Sequence, residues 1–249
     1  MKAVIITVGN EILNGRTLNT NFSFIAKMLT YSGYTVARGI IVPDTIEGIS
    51  NAFTEASRIG DVIVSSGGLG PTFDDITVAG FSQAFGLKLS VNEVAMEMIK
   101  PKFNRLTPER EKMAIMPENS MPIRNDAGTA PGVYMKIENK AYIILPGVPR
   151  EVESIMKNII GEIRLDNFVY CDRSFEVSGV MESVLAPFVR KLMSEYNNAV
   201  YIKTHPKGNE VKSPLLEIEV TAGGTDKNIE KTVDEVIDKI KKHIDENDY

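Results

Sequence analysis

Short apolar runs alternate with amphipathic segments over the first third of the chain. Apolar runs rich in β-branched residues are typical of buried parallel strands, and they occur at Lys2–Val8, Tyr34–Val42 and Asp61–Ser65. Between them, apolar side chains at helical spacing predict helices over Asn19–Leu29 and Ile46–Arg58. This order of strand and helix predicts an α/β fold with a doubly wound, mainly parallel sheet and helices on both faces.

The following stretch continues the pattern up to about residue 165. Its predicted elements are a helix lined by Val78, Phe81 and Phe85, a helical stretch Met96–Ile115 broken at Thr107-Pro108, a hairpin of Val133–Ile137 and Ala141–Leu145, and a helix Arg150–Ile160.

The C-terminal part has a different order of elements. Strand, helix, two strands and helix follow one another, which predicts a small α+β domain. We place the boundary near residues 161–166, so the predicted domains are 1–165 and 166–249. The predicted elements are Phe168–Val177, Glu182–Tyr196, Ala199–Thr204, Leu215–Thr221 and Asp226–Ile244.

Four turns of the first domain are expected at one edge of its sheet. Ligands of such sheets bind outside the carboxyl ends of the strands. The turns that follow Val8, Val42, Ser65 and Leu145 fall at that edge, which makes them the first place to look for chemistry.

The turn after the third strand is rich in glycine. Gly67, Gly68 and Gly70 lie between a buried strand and a helix, where missing β-carbons and the helix N-terminus favour an anion such as phosphate. The Lys-Ser/Thr pair of the P-loop and the GxGxxG spacing of the dinucleotide fingerprint are both missing from this turn. Tight packing of strand on helix is the alternative explanation.

Acidic residues accompany the glycines. Asp74 and Asp75 follow them directly, while Asp44 and Glu11 occupy the neighbouring turns. Carboxylates repel phosphate unless a cation lies between them, so this arrangement predicts a hard divalent ion such as Mg²⁺. The structural alternatives are helix-terminal residues for Asp74 and Asp75, a turn or cap residue for Asp44 and a solvated loop charge for Glu11.

Composition excludes some classes of protein and favours a cytoplasmic one. The net charge is −5, and the acidic excess falls in residues 166–249, which argues against a nucleic-acid partner. No apolar run is long enough for a membrane span or a secretory signal. Cys171 is the only cysteine, so we expect a buried small hydrophobe and no disulfide.

Four motifs in order resemble the competence-damage protein CinA family. Its first domain is in turn similar to the molybdopterin-binding domain of molybdenum-cofactor biosynthesis proteins, a three-layer α/β fold. The motifs cover about residues 1–165 and are GNEILNGRT with Asn19-Thr20-Asn21, GGLGPTFDDIT from Gly67, NDAGTAPG from Asn125, and LPGVP from Leu145.

The resemblance implies roles for individual residues. Asp75 falls on the metal-ligand aspartate of the family's glycine motif, and Asp44 matches a functional Pro-Asp position, so both are expected metal ligands. With Glu11 they are the candidate catalytic residues. Asn10 stands where many members have Asp, which puts a ligand at that position in doubt. The expected ligand-binding residues are Asn10, Gly67, Gly68, Gly70, Pro71, Thr72, Asp74, Gly128, Thr129, Pro146, Gly147 and Pro149.

The resemblance also implies an activity, hydrolysis of ADP-ribose to AMP and ribose 5-phosphate with Mg²⁺, Mn²⁺ or Co²⁺. A metal at Asp75, with Asp44 or Glu11, would neutralise a pyrophosphate and acidify a bound water, whose proton a carboxylate accepts. Two alternatives stay open. One is a molybdopterin-binding or adenylyl-transferring protein, and the other is a nucleotide-binding module without turnover.

The second segment looks like the small KH-type domain of the same family, and Ile202–Gly208 fits that interpretation. It lacks an obvious basic-flanked GxxG loop, so we expect it to serve dimer contacts or to shape the ligand site. The family's third domain, a nicotinamide mononucleotide deamidase, has no counterpart in this sequence, so deamidation is not expected. A homo-oligomer, with a dimer favoured, completes the predictions.

Overall fold

A computed structural model describes residues 1–197, 199–207 and 214–247 of the chain. It divides into two compact units. Unit 1 comprises Met1–Thr30 and Tyr34–Arg164, and unit 2 comprises Tyr31–Gly33 and Leu165–Tyr249. None of the described helices combines the length and the apolar character that crossing a membrane requires.

Unit 1 alternates strands and helices. Its strands are β1 (Lys2–Val8), β2 (Thr35–Val42), β3 (Val62–Ser66), β4 (Leu89–Val91), β5 (Ile115–Pro117), β6 (Met121–Ile123), β7 (Gly132–Ile137) and β8 (Lys140–Leu145). Its helices are α1 (Asn10–Leu13), α2 (Thr20–Tyr31), α3 (Ile46–Ile59), α4 (Thr77–Phe85), α5 (Glu93–Ile99), α6 (Pro108–Lys112) and α7 (Pro149–Ile163), with a 3-10 turn at Lys100–Lys102.

A six-stranded sheet in the order β2-β1-β3-β8-β7-β6 forms the centre of unit 1. The pairs β1·β2, β1·β3 and β3·β8 are parallel, whereas β7 is antiparallel to both β8 and β6. The predicted α/β class with a mainly parallel sheet is therefore confirmed. The predicted hairpin β7–β8 is also present, and its turn places Glu138 at a φ of 54°.

Packing on the sheet follows from the apolar runs. All of β1 except Lys2 is buried, as expected for a central strand with covered faces. On one face, α3 and α4 contribute Phe53 and Phe81, whose rings meet edge to face at 4.9 Å. Tyr142 of β8 joins them at 5.3 Å from Phe81. This aromatic cluster holds two helices against the strands that carry the edge turns.

The prediction of a helical stretch over Met96–Ile115 is wrong in its continuity. Helix α5 ends at Ile99, and Pro101 lies in the 3-10 turn that follows, because proline has no amide hydrogen to donate to the carbonyl four residues before it and its ring clashes with that carbonyl. Further along, Ile115 belongs to β5, which pairs with β4 through Ser90 and Met116. Such a long-range pairing leaves no local periodicity from which to predict it.

Unit 2 has the predicted order of strand, helix, two strands and helix. Its elements are β9 (Val169–Ser178), α8 (Glu182–Glu195), β10 (Val200–Pro206), β11 (Leu215–Gly224) and α9 (Ile229–Glu246), and the antiparallel sheet runs β10-β11-β9. Cys171 is 4% exposed in its core, as expected. The KH-type interpretation stays a prediction, and Gly208 of its motif lies outside the described residues.

Candidate ligand-binding site

The strand register brings the predicted turns to one edge of the central sheet. Val8 pairs with Val42 at the end of β1, and Thr7 pairs with Ser66 of β3. Ser66 in turn pairs with Leu145 of β8. Four strands therefore end side by side, and the expectation that their turns share the carboxyl edge is confirmed.

The glycine turn has a backbone geometry that other residues rarely adopt. Gly67 has a φ of +106° and Gly68 a φ of +68°. A β-carbon on Gly67 would lie 2.0 Å from the carbonyl oxygen of Val8, so the turn passes against the end of β1. The amide of Gly67 donates to Leu145 O at 3.0 Å. The turn thus joins β1, β3 and β8.

Thr77, at the start of α4, holds the glycine turn from its other side. Its hydroxyl donates to Gly67 O at 2.8 Å and its amide donates to Gly68 O at 3.1 Å. A β-carbon on Gly68 would lie 2.2 Å from that hydroxyl oxygen. Sequence reasoning did not identify Thr77, although a threonine that opens a helix after a glycine turn is a recognisable signal.

We expect Thr77→Val to lower the free energy of unfolding by about 1–3 kcal/mol, because the buried carbonyl of Gly67 loses its donor while the side-chain volume is kept. Urea denaturation followed by circular dichroism measures the change. Thr77→Ser retains the hydroxyl and should stay closer to wild type. A larger loss in Thr77→Ser than in Thr77→Val would mean that the methyl group, and not the hydrogen bond, matters at this position.

The acidic stretch after the glycines is a closed turn. Asp75 Oδ2 accepts the amide of Thr72 at 2.8 Å, and the Thr72 hydroxyl lies within hydrogen-bonding distance of both Asp74 and Asp75. Lys112 Nζ donates to Thr72 O. The hydroxyl of Thr72 lowers the pKa of Asp74, and Lys112 adds to this lowering. The turn therefore favours the ionised form of Asp74 and holds both carboxylates in place, with Phe73 at its tip 92% exposed.

Asp44 and Glu11 lie in the neighbouring turns, as predicted. Asp44 Oδ2 accepts the amide of Asn10 at 2.8 Å, so Asp44 joins the turn after β2 to the start of α1, while Thr45 is the residue that caps α3. A β-carbon on Gly9 would lie 2.7 Å from Glu11 Oε1, which leaves the Glu11 carboxylate close to the backbone. The chain therefore needs Gly9 to let Glu11 take this position.

These turns surround a cavity of about 560 Å³, which we call the polar cavity. Its volume lies within the range of small-molecule sites. Asn10 and Gly128 lie outside its lining, since Asn10 contributes its amide to Asp44 and Gly128 packs against Glu151. The predicted site residues that do line it are Glu11, Asp44, Gly67, Gly68, Gly70, Pro71, Thr72, Asp74, Asp75, Thr129, Pro146, Gly147 and Pro149.

Glu151 also lines the polar cavity and was missed by sequence reasoning. It lies in the first turn of α7, directly after the LPGVP turn, and a carboxylate at that spacing was the available signal. Its Oε2 accepts Asn125 Nδ2 at 2.9 Å, and Asn125 is 2% exposed. A β-carbon on Gly128 would lie 2.1 Å from Glu151 Cδ, which explains a glycine at that position.

Lys102 fastens the Asn125–Gly132 segment that carries part of the cavity wall. Its ammonium group donates to Asn125 O at 2.7 Å and to Gly128 O at 2.6 Å. Burial lowers the pKa of this ammonium group. Two main-chain acceptors offset part of that desolvation, so Lys102 stabilises the turn rather than reaching a ligand.

The charge of the polar cavity is strongly negative. Carboxylates of Glu11, Asp44, Asp74, Asp75 and Glu151 line it, and no lysine or arginine is among the described lining residues. Within the described ranges, no three His, Cys, Asp or Glu side chains are grouped closely enough to hold a metal ion by themselves. Carboxylate oxygens are hard donors of the kind that Mg²⁺ prefers.

A second, mostly apolar cavity of about 200 Å³ adjoins the first. The two share Gly68, Gly70, Asp75 and Met113. Leu69 and Val133 are among the apolar residues of its wall. The site as a whole therefore offers a polar, backbone-rich part next to an apolar part, which suits a ligand with a phosphate and a flat ring.

A glycine turn, convergent carboxylates and an adjoining apolar cavity at the carboxyl edge define an α/β small-molecule-binding domain. The chain belongs to the family described as the probable molybdopterin binding domain, whose model matches residues 4–165.

Two relatives are similar in sequence to this protein over most of its length. A protein of Thermoplasma volcanium is 52% identical over 88% of this chain and 86% of its own, and a protein of Thermoplasma acidophilum is 49% identical over 90% and 88%. The crystal structure of the Thermoplasma acidophilum protein CinA, of unknown function, has 51% identity and a TM-score of 0.65. It covers 66% of this chain and 100% of its own, which supports the CinA resemblance for the first domain.

Proposed function

We propose that this protein binds a phosphorylated pterin of the molybdopterin type at the carboxyl edge of its central sheet. The observation that carries the proposal is the polar cavity of about 560 Å³, built from glycine turns within residues 4–165, the part matched by the molybdopterin-binding family. That match supports a pterin ligand better than ADP-ribose, for which the comparisons give no support.

Each part of the ligand has a matching part of the site. Gly68, Gly70 and Gly147 line the polar cavity and let phosphate oxygens come close to the backbone. The Thr72 hydroxyl offers a further polar contact beside them. The apolar cavity next to Met113 accepts the flat pterin ring, which gains affinity by leaving water.

The carboxylates of the site make a divalent cation the natural companion of the phosphate. Asp75 and Asp44 would hold it, and when bound it would neutralise phosphate charge that these groups otherwise repel. Asp75 also orders the turn through Thr72, so its position does not depend on the cation. Glu11 and Glu151 remain for hydrogen bonds to the organic part of the ligand.

The test of this proposal is a fluorescence titration with 6-hydroxymethylpterin diphosphate and Mg²⁺. We expect saturable binding, with the unphosphorylated pterin at least about 10-fold weaker because it leaves the polar cavity unfilled. Pterin fluorescence in protein purified from its native source would support the same conclusion. Equal affinity for both pterins, or no binding of either, would reject the proposal. Incubation with ATP and molybdopterin then asks whether adenylyl transfer follows.

A second candidate is the metal-dependent hydrolysis of ADP-ribose to AMP and ribose 5-phosphate. The observation that favours it is the ring of carboxylates, one of which can accept a proton from an attacking water. Incubation with ADP-ribose and Mg²⁺, Mn²⁺ or Co²⁺ should then release AMP in wild type and much less in Asp75→Asn. Asparagine keeps an oxygen for the Thr72 amide, so the turn is preserved. No AMP from wild type would rule this candidate out.

A third candidate is a nucleotide-binding module without turnover. Tight ADP-ribose binding by calorimetry, with no AMP released under any of the three metals, would identify it. The homo-oligomer, the cytoplasmic location, the role of the KH-type domain and the lack of deamidation stay predictions.

A further inference from the structure

A third, smaller cavity of about 80 Å³ adjoins the polar cavity, and we call it the side cavity. Glu11, Gly67 and Gly147 are among the residues that line both cavities, so the two lie side by side. Much of the remaining wall comes from the end of β1, the segment of residues 17–21 and the end of β3. Its polar side chains include Thr7, Thr17, Asn19, Thr20, Asn21 and Ser66.

Two buried oxygen atoms of this wall have no hydrogen-bond partner among the described residues, Ser66 Oγ and Asn21 Oδ1. Ser66 is only 1% exposed. The amide nitrogen of Asn21 donates to Gly147 O at 2.8 Å, which leaves Oδ1 as the unused acceptor. Leaving such groups unpaired costs folding free energy, so a buried pair of them beside a cavity points to an external partner.

Two neighbouring polar side chains of the same wall, Thr7 and Asn19, have hydrogen-bond partners. Asn19 Nδ2 donates to the Thr7 hydroxyl at 3.0 Å, and Asn19 Oδ1 accepts the amide of Phe22 at 3.1 Å. Among the buried side-chain oxygens of the described wall, only Ser66 Oγ and Asn21 Oδ1 therefore lack a partner.

The chemistry of the side cavity selects a hydrogen-bond donor. The Asn21 carbonyl and the Glu11 carboxylate accept hydrogen bonds, and the Ser66 hydroxyl can do either. An anion is disfavoured beside a carboxylate. A volume of about 80 Å³ admits a group of a few heavy atoms, since a water occupies roughly 30 Å³.

We propose that the side cavity is a subsite for a neutral hydroxyl or amino group of the ligand whose phosphate lies in the polar cavity. The subsite rests on the proposed function, because the same ligand fills both cavities. Ser66 and Asn21 contact this donor group and so distinguish ligands that carry it from bare phosphates.

The test compares Ser66→Ala with Ser65→Ala. Ser65 is also fully buried with an unpaired hydroxyl on the same strand, but it lies outside the wall of the side cavity. Both variants remove one unpaired buried hydroxyl, so neither is expected to lose stability against urea. The variants thereby separate a ligand contact from a structural role.

Calorimetry with 6-hydroxymethylpterin diphosphate, ADP-ribose and inorganic pyrophosphate provides the readout. We expect Ser66→Ala to lower the affinity for the organic ligand that wild type binds by about 10-fold and to leave the affinity for pyrophosphate unchanged. Ser65→Ala should bind all three ligands as wild type does. Ser66→Val, which fills the side cavity, should lower the affinity for the organic ligand at least as much.

Three outcomes would overturn the subsite. If Ser66→Ala binds the organic ligand as wild type does, the side cavity holds only water, and the proposed function stands. If Ser66→Ala lowers the affinity for pyrophosphate equally, the substitution acts on the polar cavity and not on a separate subsite. Failure of wild type to bind any of the three would reject the proposed function, and the subsite with it.

Discussion

Gly67→Ala is expected to lower the free energy of unfolding by about 3–5 kcal/mol, the largest stability effect predicted for a single site in this chain. A left-handed backbone costs a non-glycine residue about 1–2 kcal/mol. The added β-carbon would also lie 2.0 Å from Val8 O and 3.1 Å from Val8 C. Because β1 is paired on both sides, it cannot move away without breaking the sheet. Urea denaturation followed by circular dichroism measures the loss.

Gly15→Ala is the matched control for this experiment. Gly15 has a φ of +73°, and nothing lies within 4 Å of an added β-carbon, so its variant isolates the backbone cost from the clash. We expect a loss of about 1 kcal/mol there. If Gly67→Ala were no worse than Gly15→Ala, the contact between the glycine turn and β1 would not constrain the site.

Removal of divalent cations is the second large effect, and it acts on ligand affinity. The described wall of the polar cavity carries five carboxylates and no lysine or arginine. A diphosphate brings further negative charge, and two like charges about 4 Å apart repel each other by on the order of 1–4 kcal/mol between bulk water and a protein surface. We therefore expect EDTA to weaken binding of 6-hydroxymethylpterin diphosphate about 100-fold relative to Mg²⁺, as measured by calorimetry.

Charge-neutralising variants test where this dependence arises. Asp75→Asn should lower the affinity in Mg²⁺ and reduce the difference between Mg²⁺ and EDTA. Glu153→Gln removes a charge from an exposed position of α7 outside the polar cavity, and it should behave as wild type. Equal affinities in Mg²⁺ and EDTA for the wild type would contradict the role assigned to the carboxylates.

Elements with local signals were predictable from the sequence. The runs Lys2–Val8 and Asp61–Ser65 became neighbouring strands because buried parallel strands need continuous apolar residues, and the structure shifts the second by one residue to Val62–Ser66. Parallel strands joined by helices place their ends together, so the shared edge of the four turns followed from the order of elements alone.

Contacts between distant segments were not predictable. The pairing of Ser90 with Met116 and the hydrogen bond from Asn125 to Glu151 depend on tertiary packing. Such contacts leave no periodicity in the sequence. The same holds for Asn10, whose side chain was expected at the ligand whereas its amide is used by Asp44. Asp75 fits both a ligand-binding and a structural role, since the carboxylate that lines the cavity also closes its own turn.

Blocking the polar cavity tests most directly whether this cavity binds the phosphate of a small-molecule ligand. Gly147 lines the cavity, and a β-carbon there would meet only Gly67 Cα, at 3.7 Å, so Gly147→Val should fold with its side chain in open space. Gly161→Ala, in α7 with nothing within 4 Å, is the control.

The measurement is a calorimetric titration of the three proteins with 6-hydroxymethylpterin diphosphate in Mg²⁺. We predict that wild type and Gly161→Ala bind alike, and that Gly147→Val, folded by circular dichroism, binds at least about 30-fold more weakly. Wild-type affinity in Gly147→Val, or no binding by wild type, would contradict phosphate binding in the polar cavity.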